Sequence, residues 1–449
     1  MSTDASSERE NEALVEQAKA ILALNWTGEY TQPGPRLYPH QWSWDSALIA
    51  IAYAHYDRER AEKELRHLFE AQWTNGLLPQ IVFNPRFRDY FPGPSFWNAD
   101  ESPHAPKHKE TSGVVLPPVH ATAVLAVYKA AGEEAKEFLG YAFRKLKAWH
   151  EYLYRDRDPR GEGLVYIRHP WESGMDNSPI WDQIMQRMHL RAGQIPQYKR
   201  ADTNTVSAQD RPTSASYDRF AYLVKFFADR DYDEDRIRED CPFLVQDVLF
   251  NSLLCRSGHD MAQIARVLGE DPDPFEEQAQ KTARAIEDKL WSEEHGVYFD
   301  YDLVADRPIH VYFAPNFVPL FAGTPDEARA KRLVDALEND GFGLSDKNVT
   351  PVPSLDMHGF GFSPVEYWRG PVWLNINWFL MHGLEDYGYH EYADRLRAGI
   401  VRLCREAGFY EYFNPVTGQG HGSDLFSWSA ALLIDVSMNE KDQEAGVRA

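Results

Sequence analysis

The run Ser46-Ala-Leu-Ile-Ala-Ile-Ala-Tyr-Ala-His-Tyr56, followed after Asp57 by Arg58-Glu-Arg-Ala-Glu-Lys-Glu-Leu-Arg-His-Leu-Phe-Glu-Ala-Gln-Trp73, decides the fold. The first half is small and apolar on every side. The second is amphipathic and stops at Asn75-Gly76, a helix C-cap signal. A helix without a polar face must be buried all round, whereas a one-faced helix lies on the outside. The pair therefore reads as an inner helix followed by an outer one. The pattern extends in both directions along the chain. Upstream, Glu12 to Leu24 places Leu14, Ala18, Ile21 and Leu22 on one face. Downstream, candidate helices run from apolar to polar in approximate alternation: Val119 to Ala131, Glu133 to Tyr154, Ser216 to Asp229, Phe243 to Leu254, Met261 to Leu268, Phe275 to Trp291, Asp326 to Glu338, Val372 to Tyr387, Glu391 to Ala407 and Trp428 to Met438. The last ten residues read as a polar, frayed tail.

A loose internal repeat supports the pairing. Three times an amphipathic helix ends near a glycine and enters an aromatic stretch: Gly163-Leu-Val-Tyr-Ile, Gly296-Val-Tyr-Phe-Asp-Tyr and Gly408-Phe-Tyr-Glu-Tyr-Phe. A repeated unit that cannot bury its own apolar face implies a closed or stacked array. The expected fold is all-α, a toroid of inner and outer helix pairs. No interdomain linker is visible, so residues 1–449 read as one domain, with loop or lid insertions at about 77–118 and 180–215.

The chain has 449 residues, 47 basic and 69 acidic, for a formal net charge of −22. No stretch is Lys/Arg-rich, which excludes a nucleic-acid or anionic-membrane surface. Hydrophobic residues at 43% and charged residues at 26% suit a globular protein. Cys241, Cys255 and Cys404 are odd in number and lack metal-site spacing, which points to a reducing compartment rather than a disulfide scaffold. The first ten residues are polar and acidic with no apolar signal region, so the expected location is cytoplasmic. On that reading the sequons Asn25-Trp26-Thr27 and Asn348-Val349-Thr350 are chance matches. Asp156-Arg-Asp158-Pro-Arg-Gly161 reads as a turn, because it lacks the further ligands of a calcium loop; no metal and no cofactor are expected. Self-association is left open.

With 13 Trp, 23 Tyr and 24 Phe, the chain is rich in rings that stack on the C–H faces of sugars. Four clusters mix such rings with carboxylates or glycine in loop-like context. They are Tyr38-Pro-His-Gln-Trp42-Ser-Trp44-Asp45, His169-Pro-Trp171-Glu172-Ser-Gly174-Met-Asp176-Asn-Ser-Pro179, Glu366-Tyr367-Trp368-Arg369-Gly-Pro-Val-Trp373 and Phe409-Tyr-Glu411-Tyr-Phe-Asn-Pro-Val-Thr-Gly418. Each lies at or just before the start of an inner-helix candidate, so the four would converge on one end of the ring. Glycoside hydrolysis needs one carboxyl to protonate the leaving oxygen and another to activate water or attack. Asp176 and Glu411 suit such a pair, since an aromatic wall raises the pKa of the acid. On spacing alone Asp176 reads equally well as a helix cap and Glu411 as a strand residue. Asp45 reads as a cap, Glu172 as a surface charge, and Arg211 as a surface arginine paired with Asp210 or Asp218.

Trp-Ser-Trp-Asp, Trp-Glu-Ser-Gly-x-Asp-Asn-Ser-Pro, Tyr-Trp-Arg-Gly-Pro-x-Trp and Phe426-Ser427-Trp428-Ser429-Ala430-Ala431 together resemble glycoside hydrolase family 63, in order from about Tyr38 to Leu433. The short form is similar to the bacterial mannosylglycerate and glucosylglycerate hydrolases of that family. The resemblance implies an (α/α)6 barrel and an inverting mechanism, with Asp176 as general acid and Glu411 as general base. It implies a hexose subsite of Trp42, Trp44, Asp45, Trp171, Gly174, Trp368 and Trp373. Tyr38, Tyr90, Arg211, Tyr217 and Tyr367 would hold the acid part of a small-molecule glycoside. One departure is Leu116 before Pro117-Pro118, where glycerate-specific relatives are expected to carry glutamine. Mannose against glucose is not decided by these residues. Two other enzyme readings compete: an inverting α-glucosidase of the same barrel on a neutral disaccharide or oligosaccharide and, from a different class, a sugar epimerase on that barrel relying on paired histidines, for which His40, His120, His169 and His421 are available although no spacing singles out a pair. A binding protein that has lost its acids is disfavoured by the presence of both Asp176 and Glu411.

Overall fold

The computed structural model describes residues 4–447 apart from 192, 196, 201, 205 and 345–350, so the sequon Asn348-Val349-Thr350 lies outside the described residues. The helix Ser43–Ala54 is buried along nearly its whole length. The helix Arg58–Phe69 buries one face, Ala61, Leu65, Leu68 and Phe69 with Glu64 among them, and Asp57 caps it by accepting the Arg60 N–H. It ends at Phe69 rather than Trp73. Trp73 turns inward instead, its indole N–H donating to Thr111 Oγ1 at 2.9 Å. Gly76, at φ 103°, presses on the helix behind it, where a Cβ would stand 2.2 Å from the Ala148 carbonyl oxygen.

Among the described residues the inner helices are Ser43–Ala54, His120–Ala131, Val248–Leu268, Pro319–Ala322, Leu374–Asp386 and Ser427–Val447. Each packs on the next and the last packs on the first, so the ring closes. Around it lie Asp4–Asn25, Arg58–Phe69, Lys136–Asp156, Asp273–Ala285, Glu327–Leu337 and His390–Ala407, giving the expected (α/α)6 barrel.

Several further elements differ from the sequence reading, beginning with the fourth inner helix, Pro319–Ala322, which lies outside every candidate helix. Val248–Leu268 is one helix, capped by Asp247 and closed by Gly269, rather than two. The polar run Arg256 to Asp260 that divides the pattern includes Gly258, which lets the outer helix approach: a Cβ there would stand 2.9 Å from the Ala279 Cβ. Ser214–Ala228 is not a ring helix. It packs against the short helix Pro94–Trp97 and sets Tyr217 and Phe220 against the Trp171 ring, so its apolar face covers site loops. The final helix runs from Ser427 to Val447, past the expected end at Met438 and into the last ten residues that read as a frayed tail.

Among the described residues strand structure is confined to three short pairs and one three-stranded sheet that brace the connections. Gln41–Trp42 pairs with Ile81–Val82, tying the 77–118 segment to the start of the first inner helix. Tyr410–Phe413 pairs with Gly420–Asp424, with a register shift between Tyr410 and Tyr412. Gly163, Gly296 and Gly408, which open the repeated aromatic stretches, all have positive φ (96°, 70° and 95°), a conformation that glycine adopts without steric cost. These connections run from outer to inner helices, so they gather at the N-terminal end of the inner ring.

Candidate active site

The two expected catalytic acids and the twelve expected substrate-binding residues line one cavity of about 680 Å³: Tyr38, Trp42, Trp44, Asp45, Tyr90, Trp171, Gly174, Asp176, Arg211, Tyr217, Tyr367, Trp368, Trp373 and Glu411. Gln80, Leu116, Phe426 and Trp428 line it as well. Phe426 and Trp428 belong to a motif already visible in the sequence, whereas Gln80 sits in a loop with no pattern to mark it. Its Oε1, like the Trp368 indole N–H, is buried without a hydrogen-bond partner among the described residues. Buried polar atoms of this kind suit sugar hydroxyls.

Glu411 stands at the register shift of its hairpin, and such a bulge re-aims a side chain. Its Oε1 accepts from the Tyr38 hydroxyl at 2.6 Å and its Oε2 from the Ser423 N–H at 3.0 Å. Gly422 leaves room for it, since a Cβ there would stand 2.4 Å from Oε2. Burial raises the Glu411 pKa, while Arg211, Tyr38, Ser423 and Tyr367 all oppose the rise by favouring the carboxylate. Burial also holds the Tyr38 phenol well above its usual range, so it remains a donor.

Asp176 is carried by a loop fastened at several points. His169 accepts the Trp171 N–H at 2.9 Å, Ser173 Oγ accepts the Met175 N–H at 3.0 Å, and the Trp181 indole donates to the Met175 carbonyl at 2.9 Å. The cap of the following turn is Ser178, so Asp176 is not the cap its sequence context allowed. Burial pushes the Asp176 carboxyl up to about 7; Arg211 opposes the rise and Glu411 adds to it. Burial likewise pushes Asp45 up to about 8. Gly174, at φ 74°, lies against Trp44: a Cβ would stand 2.5 Å from the indole.

Trp368 and Trp373 stack in parallel, with centroids 3.7 Å apart, and Trp373 stacks on Tyr412 at 4.8 Å. The Trp373 indole donates to the Tyr367 carbonyl at 3.0 Å, and Asn177 Oδ1 accepts the Trp368 N–H at 2.9 Å, joining this loop to the one carrying Asp176. Tyr367 itself has φ 39°, a strained position for a non-glycine residue.

Arg211 is buried, not a surface arginine paired with Asp210 or Asp218. Its Nη1 donates to the Tyr38 hydroxyl at 2.9 Å and lies 3.6 Å from Glu411 Oε1, its Nε donates to Asp202 at 3.3 Å, and its guanidinium lies 4.2 Å from the Tyr367 ring centroid. Arg200 clamps Asp202 from the other side at 2.6 and 2.9 Å. The four histidines weighed for an epimerase, His40, His120, His169 and His421, are absent from the cavity lining among the described residues.

A family model described as the mannosylglycerate hydrolase MGH1-like glycoside hydrolase domain matches residues 38–429. The chain belongs to this glycoside hydrolase family. It is 65% identical over 427 residues to mannosylglycerate hydrolase of Rubrobacter radiotolerans, spanning 95% of this chain and 97% of that one. It is 34% identical over 445 residues to glucosylglycerate hydrolase of Mycolicibacterium hassiacum, spanning 94% and 97%. The crystal structure of the GH63 mannosylglycerate hydrolase from Thermus thermophilus in complex with Tris and D-glycerate matches with a TM-score of 0.88 at 43% identity, covering 94% of this chain and 99% of that one.

One member of the family motif, Glu172, is not the surface charge that its spacing suggested. It is fully buried, accepting from Arg157 at 2.9 and 3.0 Å, from the Arg168 N–H at 2.7 Å and from the Val115 N–H at 3.3 Å. It thereby binds the Asp176 loop to the chain next to Leu116. Arg157 also reaches Glu234 at 3.0 Å. Removing one partner of a buried ion pair strands the other, so Glu172→Ala is expected to destabilise the protein by about 3–5 kcal/mol, measured by denaturant unfolding.

Proposed function

We propose that the protein hydrolyses an α-glycoside of glycerate, mannosylglycerate first and glucosylglycerate second, to hexose and glycerate with inversion at the anomeric carbon. The observation that carries this reading is Arg211, a guanidinium buried in a ring of tyrosines in the same cavity as Asp176 and Glu411. A desolvated arginine in a chain of net charge −22 is well suited to a carboxylate, which it can meet with charge-assisted, bidentate hydrogen bonds. The printed activities of the relatives agree with it. The paired tryptophans and Asp45 hold the hexose; Tyr90, Tyr217, Tyr367 and Arg211 hold the glycerate.

In the reaction, protonated Asp176 gives its proton to the glycosidic oxygen as the bond to C1 breaks. The Glu411 carboxylate takes a proton from a water that attacks C1 on the opposite face. Asp176 leaves as carboxylate and Glu411 as acid, and exchange with solvent resets both. With a water between them, the two carboxyls are expected at roughly 6.5–9.5 Å in the substrate complex. Proton NMR of the fresh product should register the β-anomer of the hexose first.

The acid must be protonated to work, and its pKa is raised to about 7. Activity is therefore expected to fall about tenfold per pH unit above that value, a limb that Asp176→Asn should lack, and to fall again at acid pH as the Glu411 carboxylate, its pKa raised by burial, takes up a proton. An activity screen on mannosylglycerate, glucosylglycerate and trehalose tests the reading; preference for trehalose would favour the neutral-disaccharide alternative.

The protein is read as one catalytic domain in which the segments about 77–118 and 180–215, carrying Tyr90 and Arg211, close over the substrate. A cytoplasmic location fits the three buried, unpaired thiols. No described helix is long and apolar enough to cross a membrane.

A further inference from the structure

Beside the catalytic cavity lies an outer one of about 910 Å³ that shares Tyr38, Tyr90, Arg211 and Tyr217 with it. Its charged lining is Arg36, Arg86, Arg88 and Arg211 against Asp89 and Asp202. This local excess of cations runs against the formal charge of −22 carried by the whole chain.

Two of the arginines are engaged loosely. Arg36 rests on Asp424 and Arg88 on Glu110, and the arginine side chains are 62% and 56% exposed. Solvated pairs of this kind contribute about 0–1 kcal/mol, so either guanidinium can change partner at little cost. Arg86 forms no ion pair among the described residues, although its backbone is held: its N–H donates to Asn84 Oδ1 at 3.0 Å. The turn Asn84 to Phe87 therefore presents a free cation over the outer cavity, with Arg211 shared between the outer and inner spaces.

We propose that the outer cavity is a capture site for the carboxylate end of the substrate, led by Arg86 with Arg36 and Arg88 at the rim, which passes that end inward to Arg211. The inference rests on the glycerate-glycoside reading above. A concave, cation-lined entrance focuses the field and raises encounter with an anion by about 10- to 1,000-fold, and salt screens the effect. The surplus acid elsewhere on the surface would otherwise repel that substrate.

The test compares kcat/KM on mannosylglycerate and on a neutral aryl α-mannoside, at low and high salt, for the parent enzyme, Arg86→Lys and the triple variant R36Q/R86Q/R88Q. For the parent, kcat/KM on mannosylglycerate should fall with salt while that on the aryl mannoside stays level. In the triple variant the anionic-to-neutral ratio of kcat/KM should fall about tenfold at low salt, through KM rather than kcat, and the salt dependence should flatten. Arg86→Lys should keep most of the parent ratio. An unchanged ratio and salt slope in the triple variant overturns the proposal, as does an equal loss on both substrates, which would mark a merely structural role. If the parent turns over the aryl mannoside but not the glycerate glycosides, the functional reading itself fails and the capture site with it.

Discussion

On the proposed mechanism, replacing Asp176 or Glu411 should cost kcat roughly 10²–10⁴-fold, and the two losses should respond differently to the leaving group. Asp176→Asn removes the proton that the departing glycerate oxygen needs. An aryl glycoside with an acidic phenol leaves without that help, so it should recover much of the rate in this variant. Glu411→Gln removes the base that activates water, which every leaving group needs equally, and no recovery is expected. Steady-state kinetics on the glycerate and aryl substrates measures both. Equal losses on both substrates for Asp176→Asn would remove it from the acid role. The assignment follows from the two environments. Burial raises both carboxyls, Asp176 to about 7, and Arg211 opposes the rise in each; at Glu411 the Tyr38 hydroxyl and the Ser423 N–H oppose it further by donating to the carboxylate. The carboxyl with donors fixed on its oxygens suits the base, and the other suits the acid.

Arg211→Ala should lower kcat/KM on mannosylglycerate by about 2–5 kcal/mol, the usual cost of truncating one partner of a buried charge pair. At about 1.4 kcal/mol per decade this is roughly 30- to 5,000-fold. The structure sharpens this expectation, because Arg211 also donates to Tyr38 and lies 3.6 Å from Glu411. A neutral substrate should therefore lose rate too, but by less, through the disturbed base. Arg211→Lys should rescue poorly, since an ammonium cannot stack on Tyr367 or present a planar fork. If the anionic and neutral substrates lost rate equally, Arg211 would be acting on Glu411 alone and the glycerate assignment would fall.

Leu116 bears on the same question. It lines the cavity where the resemblance implies a glutamine, and Gln80 lines that cavity with an unpaired Oε1. Nothing in the loop around Gln80 distinguishes it from a solvated side chain, because burial by residues distant in the chain leaves no local trace. The same holds for Glu172, whose motif is visible in the sequence but whose partners Arg157, Arg168 and Val115 are not. The helix Ser214–Ala228 escapes the pattern for a related reason. Its apolar face looks like that of any ring helix, and only its contacts reveal that the face packs on the short helix Pro94–Trp97 and on Trp171 rather than on the ring.

By itself the amino-acid sequence determined the alternation of wholly buried and one-faced helices, hence the closed toroid, because periodicity records which sides of a helix meet water. It also marked most of the aromatic and acidic residues of the site, which lie in short motifs, although the cluster carrying Asp176 leads into loop helices rather than into an inner helix and Gln80 stands in no motif. Only the tertiary structure decided which of many charges are desolvated and what each faces. Arg211 became a buried cation beside Glu411, Asp176 a buried carboxyl in the cavity rather than a cap, and Glu172 an anchor rather than a surface charge. Ionisation is set by burial and by neighbours across the whole fold, and these act through space and not along the chain.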